Sequence, residues 1–444
     1  MKRVLFLAYH FPPVGGAGVQ RSVKFVRYLP EHGYEPVVVT GPGAEASRWT
    51  PADASLAGEV PAGTTIRRIQ GEPPDPARPI RARAERWLDR QEAFFRWWEQ
   101  GAEAAAQGEA ADLVYASMSP FESGAAAARI AARLGVPWVA DLRDPWALDE
   151  MQAYPTRLHR RRDLRRMREV LASASAVVMN TEEAARRVRA FPELAGPVVA
   201  IPNGFDPDDF ASPAPERAPG AFRIVHAGYL HTELTRGAVA RGVRWLLGGA
   251  APGVDVGTRS HVYLLRALER LLAADPALAG RIEVHLAGVL SEADLAEARR
   301  SSVVRTHGYL SHAATVELLR SADLLFLPMQ NLPEGRRATI VPGKTYEYLA
   351  ARRPILAAVP EGDARDLLAQ VPAATLCRPA DVDGIAAAIL GELRRHDRGE
   401  RLPEVPAELL TPFERPRLTA RLADVFDSVL GVSPPLASAD RVAV

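Results

Sequence analysis

Short apolar runs alternate with helical patterns along this whole chain, and that alternation constrains its fold more than any other feature. In the first half the runs lie at 3–8, 36–40, 64–69, 112–116, 136–141, 175–179 and 197–201. In the second half they lie at 222–227, 281–287, 303–306, 323–327, 354–358 and 374–377. Runs this short that stay apolar on both faces suit strands buried in a parallel sheet, and the helical stretches between them supply right-handed crossovers. The expectation is an α/β chain of two doubly wound domains, joined by the Pro- and Gly-rich stretch Ser212 to Gly220. Ligands of such sheets sit beyond the carboxyl ends of the strands, so the cleft between the domains is the expected site.

Two strand ends carry more than packing. After the apolar run Leu324 to Leu327 a polar loop leads to Pro342 and Gly343, which mark a helix start. A helix start attracts anions through its N–H groups and dipole; Lys344 adds a full charge, and Glu347 follows about one turn later. A carboxylate there can accept two hydrogen bonds from a vicinal diol such as a ribose. Diphosphate and ribose together imply a nucleotide, although a Lys and a Glu in a first helical turn are also common surface residues. At the other end of the chain, the strand Arg3 to Ala8 runs into FPPVGGAGVQR, whose Gly15, Gly16 and Gly18 permit close backbone approach. The helix that follows turns Val19, Val23, Val26 and Leu29 inward, Gly33 ends it, and Pro36 to Thr40 is the next strand. The spacing is not G-x-G-x-x-G and no acidic residue closes that second strand, which argues against NAD.

Four segments in order resemble the GT-B glycosyltransferases of family 4, within the family 1/4-like superfamily: FPPVGGAGVQR, PWVADLRDPW at 137–146, VVMNTEEA with IPNGFDPDDF at 177–210, and 307–358 ending PGKTYEYLAARRPILA. The resemblance implies an acceptor-binding Rossmann-like domain over 1–205, a nucleotide-sugar donor domain over 206–410, a helix over 411–430 that crosses back to the first domain, and a flexible tail over 431–444. It implies sugar transfer from a nucleoside-diphosphate sugar, of UDP or GDP type, to a carbohydrate, lipid-linked or small-molecule acceptor. The expected transfer is metal-independent and retaining, with no bound cofactor beyond that co-substrate. Gly15, Gly16, Gly18, Gly228, Arg259, Gly343, Lys344, Thr345 and Glu347 would bind the donor; Arg143, Asp144, Arg259 and Lys344 are the catalytic candidates. Arg259 is the best match for a diphosphate-neutralising residue, with Arg236 as fallback, because the segment Thr232 to Gly257 intervenes after Gly228-Tyr229. Two departures stand out: Thr339 occupies the place of the family's first glutamate, and Arg143 and Asp144 stand where many members carry a histidine.

Other readings are open. Arg21 reads equally as a ligand contact or a solvated charge, and Asp141 with Arg143 and Asp144 as a functional cluster or a structural ion pair. Glu334, Arg336 and Arg337 read as sugar contacts or a solvated loop, and Asp208-Asp209 as structural. The stretch Arg78 to Gln100 places Trp87, Leu88, Gln91, Phe94, Phe95 and Trp98 on one helical face with Arg81, Arg83, Arg86, Arg90 and Arg96 around it. It reads as core cover or as a peripheral contact with anionic lipid. Formal net charge is +1, which gives no sign of nucleic-acid binding; Cys377 is the single cysteine, which suits a reducing cytoplasm; and Met1-Lys2-Arg3 leads into a run too short for a signal peptide. Rival functions are a nucleotide-sugar 2-epimerase, for which His10, His226, His307 and His312 form no evident acid–base pair, a non-catalytic GT-B scaffold, and a dehydrogenase.

Overall fold

The computed structural model describes residues 1–43, 53–74, 93–213, 220–235 and 247–432. The chain forms two compact units. The first contains a seven-stranded sheet in the order β3-β2-β1-β4-β5-β6-β7, all parallel. Its strands are β1 (Lys2–Ala8), β2 (Tyr34–Thr40), β3 (Thr65–Arg68), β4 (Leu113–Ser117), β5 (Trp138–Leu142), β6 (Ala176–Met179) and β7 (Val198–Ala200). The second contains a six-stranded parallel sheet, β10-β9-β8-β11-β12-β13. These are β8 (Phe222–Ala227), β9 (Ile282–Ala287), β10 (Val304–Gly308), β11 (Leu324–Pro328), β12 (Ile355–Ala358) and β13 (Ala374–Cys377). Every strand lies within about two residues of its expected run; the inner strands are buried on both faces and leave an unbroken hydrophobic trace, whereas the edge strands β3 and β10 are partly exposed. Strand order reverses between β1 and β4 and again between β8 and β11, so the ends of β1 and β8 are the ligand-binding switch points of their sheets.

The helices of the first unit are α1 (Ala17–Tyr28), α2 (Ala93–Ala105), α3 (Ser123–Leu134), α4 (Arg157–Ala172) and α5 (Glu182–Arg189). Val19, Val23, Val26 and Leu29 are buried as their spacing requires, and Gly33, at φ +83°, closes the turn after α1. In α2 the aromatic face covers the core: Trp98 is fully buried with its indole N–H on Ser123 Oγ at 3.0 Å, and Phe94 and Trp97 pack beside it. This part of the stretch 78–100 is therefore core cover; Arg81, Arg83, Arg86, Trp87, Leu88, Arg90 and Gln91 lie outside the described residues. No helix among the described residues is long and apolar enough to cross a membrane.

The second unit holds α6 (Val262–Ala274), α7 (Glu292–Ala298), α8 (His312–Arg320), α9 (Lys344–Ala351), α10 (Asp363–Leu368), α11 (Val382–Asp397) and α12 (Ala407–Leu410). The chain passes from one unit to the other at Asn203/Gly204, ahead of the expected linker, and residues 247–250 return to the first unit. The last helix, α13 (Arg415–Val429), also belongs to the first unit. It starts four residues later than the 411–430 expected, because Pro412 lies in a separate short turn, Thr411–Phe413, that stays with the second unit, where Phe413 packs on Tyr346 with ring centroids 4.9 Å apart. The crossing back follows from α13's apolar face. Leu418, Leu422, Val425 and Phe426 enter the core that contains Phe6, Phe25 and Tyr115, and Asp427 accepts a 2.7 Å hydrogen bond from the Tyr34 hydroxyl.

Removing the Phe426 ring should destabilise the first unit by about 3–5 kcal/mol, the usual loss for a buried aromatic truncated to alanine. Denaturant unfolding of Phe426→Ala should show one transition moved and the other in place; two unmoved transitions would mean that α13 adds little to that core.

Candidate functional site

At the end of β1 the glycine-rich loop is shaped by one guanidinium. A Cβ built on Gly18 would stand 1.3 Å from Arg143 Nη1, so any larger residue there would displace the guanidinium from its present place. Arg143 Nη2 donates to Ser119 Oγ at 2.7 Å, while its Nε is buried without a hydrogen-bond partner. His10 lies beside it. Burial, with the Arg143 charge added, pulls that imidazole down to about 3, so it is neutral at physiological pH and a weak base. Gly16 takes φ +103° at the start of α1, and Gly15 is buried next to it.

The polar cluster of PWVADLRDPW separates into three fates. Asp141 is fully buried and accepts two bonds from Arg21, from Nε at 2.8 Å and from Nη2 at 3.0 Å. Arg21 spends its other donors on the carbonyls of Pro202 and Ile201 at 2.9 and 3.0 Å, and the Tyr115 hydroxyl also bonds Asp141. The reading of Arg21 as a solvated charge is thus corrected: it is a fully buried cation whose partner is Asp141. Arg143 turns away to the loop, and Asp144 is exposed, with no ion pair or side-chain hydrogen bond among the described residues.

In the second unit the residues expected at the donor site converge. Gly228, at φ +110°, ends β8, and a Cβ there would lie 2.7 Å from Lys344 Nζ. Gly288, at φ +128°, ends β9 against it; a Cβ at that position would meet the Gly228 carbonyl oxygen at 2.9 Å. Lys344 opens α9, and its ammonium sits 3.1 Å from His226 Nε2. Burial and the nearby Arg259 push the lysine down to about 7, with Glu347 opposing the shift. Thr345 Oγ1 is buried without a hydrogen-bond partner. Thr345 and Tyr346 already give their N–H groups to the carbonyls of Pro342 and Gly343 at 2.9 and 3.2 Å. The N–H donors left for an anion are therefore those of Gly343 and Lys344 rather than the whole first turn. Glu347 is partly buried, with Oε1 3.9 Å from His312 Nδ1; His312 Nε2 in turn lies 3.0 Å from Asp209 Oδ2.

Several expectations resolve otherwise. Arg337 pairs with Asp363 and Asp366 at 3.3 and 2.5 Å and so anchors its loop; Glu334 is exposed. Thr339 is fully buried. Arg236 lies outside the described residues. His226 was legible only as an oddity, a histidine inside an apolar run two residues before a glycine, and its bond to Lys344 needed the fold. The packing of Arg143 on Gly18 had no local signal, since the two are distant in sequence.

Two family models match the chain: a glycosyl transferase 4-like domain over residues 15–204 and glycosyl transferases group 1 over residues 256–394. A search of curated proteins gives no significant match. Among solved structures, HepE from Anabaena in complex with UDP and glucose is similar at 15% identity and TM-score 0.58, over 96% of this chain and 100% of that one. Sucrose-phosphate synthase from Thermosynechococcus elongatus is similar at 14% identity and TM-score 0.63, over 98% and 100%. A structure from Listeria monocytogenes provisionally described as a UDP-N-acetylglucosamine 2-epimerase is similar at 11% identity and TM-score 0.56, over 98% of each. At these identities the likeness is one of fold.

The buried Arg21–Asp141 pair predicts a large asymmetry. Arg21→Met leaves Asp141 buried without its cation and should lower stability by about 3–5 kcal/mol. The double variant Arg21→Met with Asp141→Leu should recover much of that loss in the same denaturation assay. Equal stability of single and double variants would show that the pair is not coupled.

Proposed function

Because this chain belongs to the GT-B glycosyltransferases of the family 4 and group 1 type, we propose that it transfers a sugar from a nucleoside-diphosphate sugar to an acceptor hydroxyl, without a metal ion and with retention at the anomeric carbon. The observation that carries this reading is the pair Lys344 and Arg259. At a β-strand switch point, burial and the charge of nearby Arg259 push the lysine down to about 7. A diphosphate would relieve that repulsion. The unpartnered Thr345 hydroxyl and the N–H groups of Gly343 and Lys344 would complete its binding, and Glu347, one helical turn on, would accept from the ribose hydroxyls.

In the reaction the bond between the anomeric carbon and the β-phosphate oxygen breaks, the acceptor oxygen bonds to that carbon, and its proton leaves with the diphosphate. Negative charge grows on the β-phosphate as the bond breaks, so Lys344 and Arg259 lower the barrier by electrostatics. Glu347 positions the donor and takes no proton. In the first unit, the loop Gly15–Gly16–Gly18 and Arg143 are proposed as donor contacts, with Asp144 as a contact for the acceptor. The departing phosphate is a better proton acceptor for the hydroxyl than His10, which burial makes a weak base. An epimerase needs a paired acid and base; among the described residues His226 is engaged by Lys344 and a carbonyl, and His307 stacks on His285 at 5.0 Å.

Calorimetry with UDP, GDP, ADP and TDP, with and without Mg²⁺, tests the donor site. One diphosphate should bind in either condition, and Glu347→Ala should weaken it about ten- to hundredfold, the worth of hydrogen bonds to a charged acceptor. No binding would move the scaffold reading to first place. Proton linkage gives a second check. The free lysine is charged below about pH 7 and neutral above it, whereas the diphosphate-bound lysine stays charged, so binding above that pH takes up a proton. Affinity should fall by up to about tenfold per pH unit above neutrality, and the binding heat should change with the ionisation enthalpy of the buffer. Heats that ignore the buffer at pH 8 would remove Lys344 from the site.

A further inference from the structure

Only three of the 55 Lys and Arg residues of this chain are lysines: Lys2, Lys24 and Lys344. Lys2 lies 4.0 Å from Asp427, and Lys24 pairs with Glu59. Lys344 has no carboxylate at ion-pair distance among the described residues; its ammonium rests on an imidazole nitrogen instead. An arginine here would be charged at every pH and too broad for a single acceptor, whereas a lysine is a compact cation that can lose its proton.

The imidazole is fixed. His226 Nδ1 is 2.9 Å from the Phe326 carbonyl oxygen, which can only accept, so Nδ1 carries the hydrogen and Nε2 offers its lone pair. Nε2 is the atom 3.1 Å from Lys344 Nζ. The ring packs edge-on near Phe326, with centroids 6.4 Å apart, and is itself almost inaccessible. Both anchoring points belong to neighbouring strands of the sheet, β8 and β11, so the acceptor is held by the fold rather than by a loop. Gly228, two residues on, leaves the groove in which the lysine lies. One ammonium hydrogen is thereby committed to His226 and the others remain for a ligand. The charged groups acting on this pair are Arg259 before α6, Glu347 on α9 and His261 at the start of α6, with Asp294 and Glu297 of α7 acting on His261.

We propose that His226 is the positioning residue of the diphosphate site: its neutral Nε2 orients the Lys344 ammonium toward the donor and keeps it there while the site is empty. This deepens the donor-site reading of Lys344 and rests on it. The physical logic is pre-organisation. A carboxylate in the same place would hold the lysine more tightly but would cancel the charge that the diphosphate needs and repel the ligand. A neutral acceptor fixes the direction of the ammonium and leaves its charge whole. Because hydrogen bonding to a charged form favours it, His226 also works against the burial that drives Lys344 toward its neutral form.

Two substitutions separate the parts of this arrangement. His226→Asn keeps a donor near the Phe326 carbonyl and withdraws the acceptor from Lys344; His226→Gln reaches the lysine with an oxygen. Protein labelled with ¹³Cε-lysine has only three side-chain signals, so the Lys344 titration is read without any ligand. In the Asn variant its midpoint should move to lower pH, and in the Gln variant it should return toward that of the wild type. At pH 7.5 the Asn variant should bind UDP, or whichever nucleoside diphosphate the wild type takes, about tenfold more weakly, with the matching monophosphate unchanged and the gap narrowing at pH 6. A midpoint untouched by His226→Asn, or a loss equal at both pH values and shared by the monophosphate, overturns the proposal. Should the Asn variant not fold, ¹⁵N spectra of wild-type His226 decide: hydrogen on Nδ1 supports it, and hydrogen on Nε2 overturns it. If no nucleotide binds the wild type but the lysine midpoint still follows His226, the donor reading falls and the coupling of the two side chains stands.

Discussion

Lys344 meets a neutral imidazole where an ion pair would ordinarily be built, and the geometry of the second unit follows from accommodating that choice. The ammonium can reach His226 Nε2 only across Gly228, whose missing side chain gives it passage, and Gly228 can take φ +110° only as glycine. Gly288 is required in turn, because β9 ends against the Gly228 carbonyl. The Tyr348 hydroxyl, one turn along α9, accepts from the Ala227 N–H at 3.1 Å and ties the helix that carries the lysine to the strand that carries the histidine. Four residues thus hold one charge in place without neutralising it.

The first unit treats a comparable charge in the opposite way. Arg21 has carboxylate oxygens and carbonyls around its whole guanidinium and the Phe25 ring 4.8 Å from its centre. Both side chains are fully buried, so the pair joins α1 to β5 and to the chain beyond β7, and its role is to fix the helix behind the glycine loop. Arg143 lies between these extremes. It makes one bond to Ser119, keeps a buried Nε without a partner, and lies over Gly18 where a loop meets the switch point of the sheet. Arg21 thus serves the fold, whereas Arg143 and Lys344, each with hydrogen-bonding capacity left over, lie near the ends of β1 and β8.

The fold was legible because its signal is local. Strands buried on both faces, helix faces at a spacing of about 3.6 residues, and the helix start at Pro342-Gly343 each appear within a few residues of sequence. The site was legible only in part. Lys344 and Glu347 share one helix turn and could be read together; Gly228 and Arg259 needed the resemblance to the family. Partners far apart in sequence left no local trace: Arg21 with Asp141, Arg143 with Gly18, His312 with Asp209. The aromatic stretch of α2 shows the same limit. Its helical spacing announced an apolar face, but only packing shows that Trp98 faces the core.

Thr339 bears on whether the site works as an enzyme site or a relic. A threonine in place of the family's first glutamate removes one anionic contact, yet it is fully buried, so the position is closed over and not left as an open vacancy. The remaining groups argue from their energetics. A protein using this architecture only as scaffold gains nothing from a buried lysine near the Arg259 charge, with the unpartnered Thr345 hydroxyl next to it in the chain, because each lowers stability until a ligand arrives. Such a chain would be steadier with a carboxylate on Lys344 or an apolar residue in its place. Retaining the charge, and fixing its direction with an imidazole whose tautomer is set by the sheet, is coherent for a pocket that binds an anion whose charge increases during reaction.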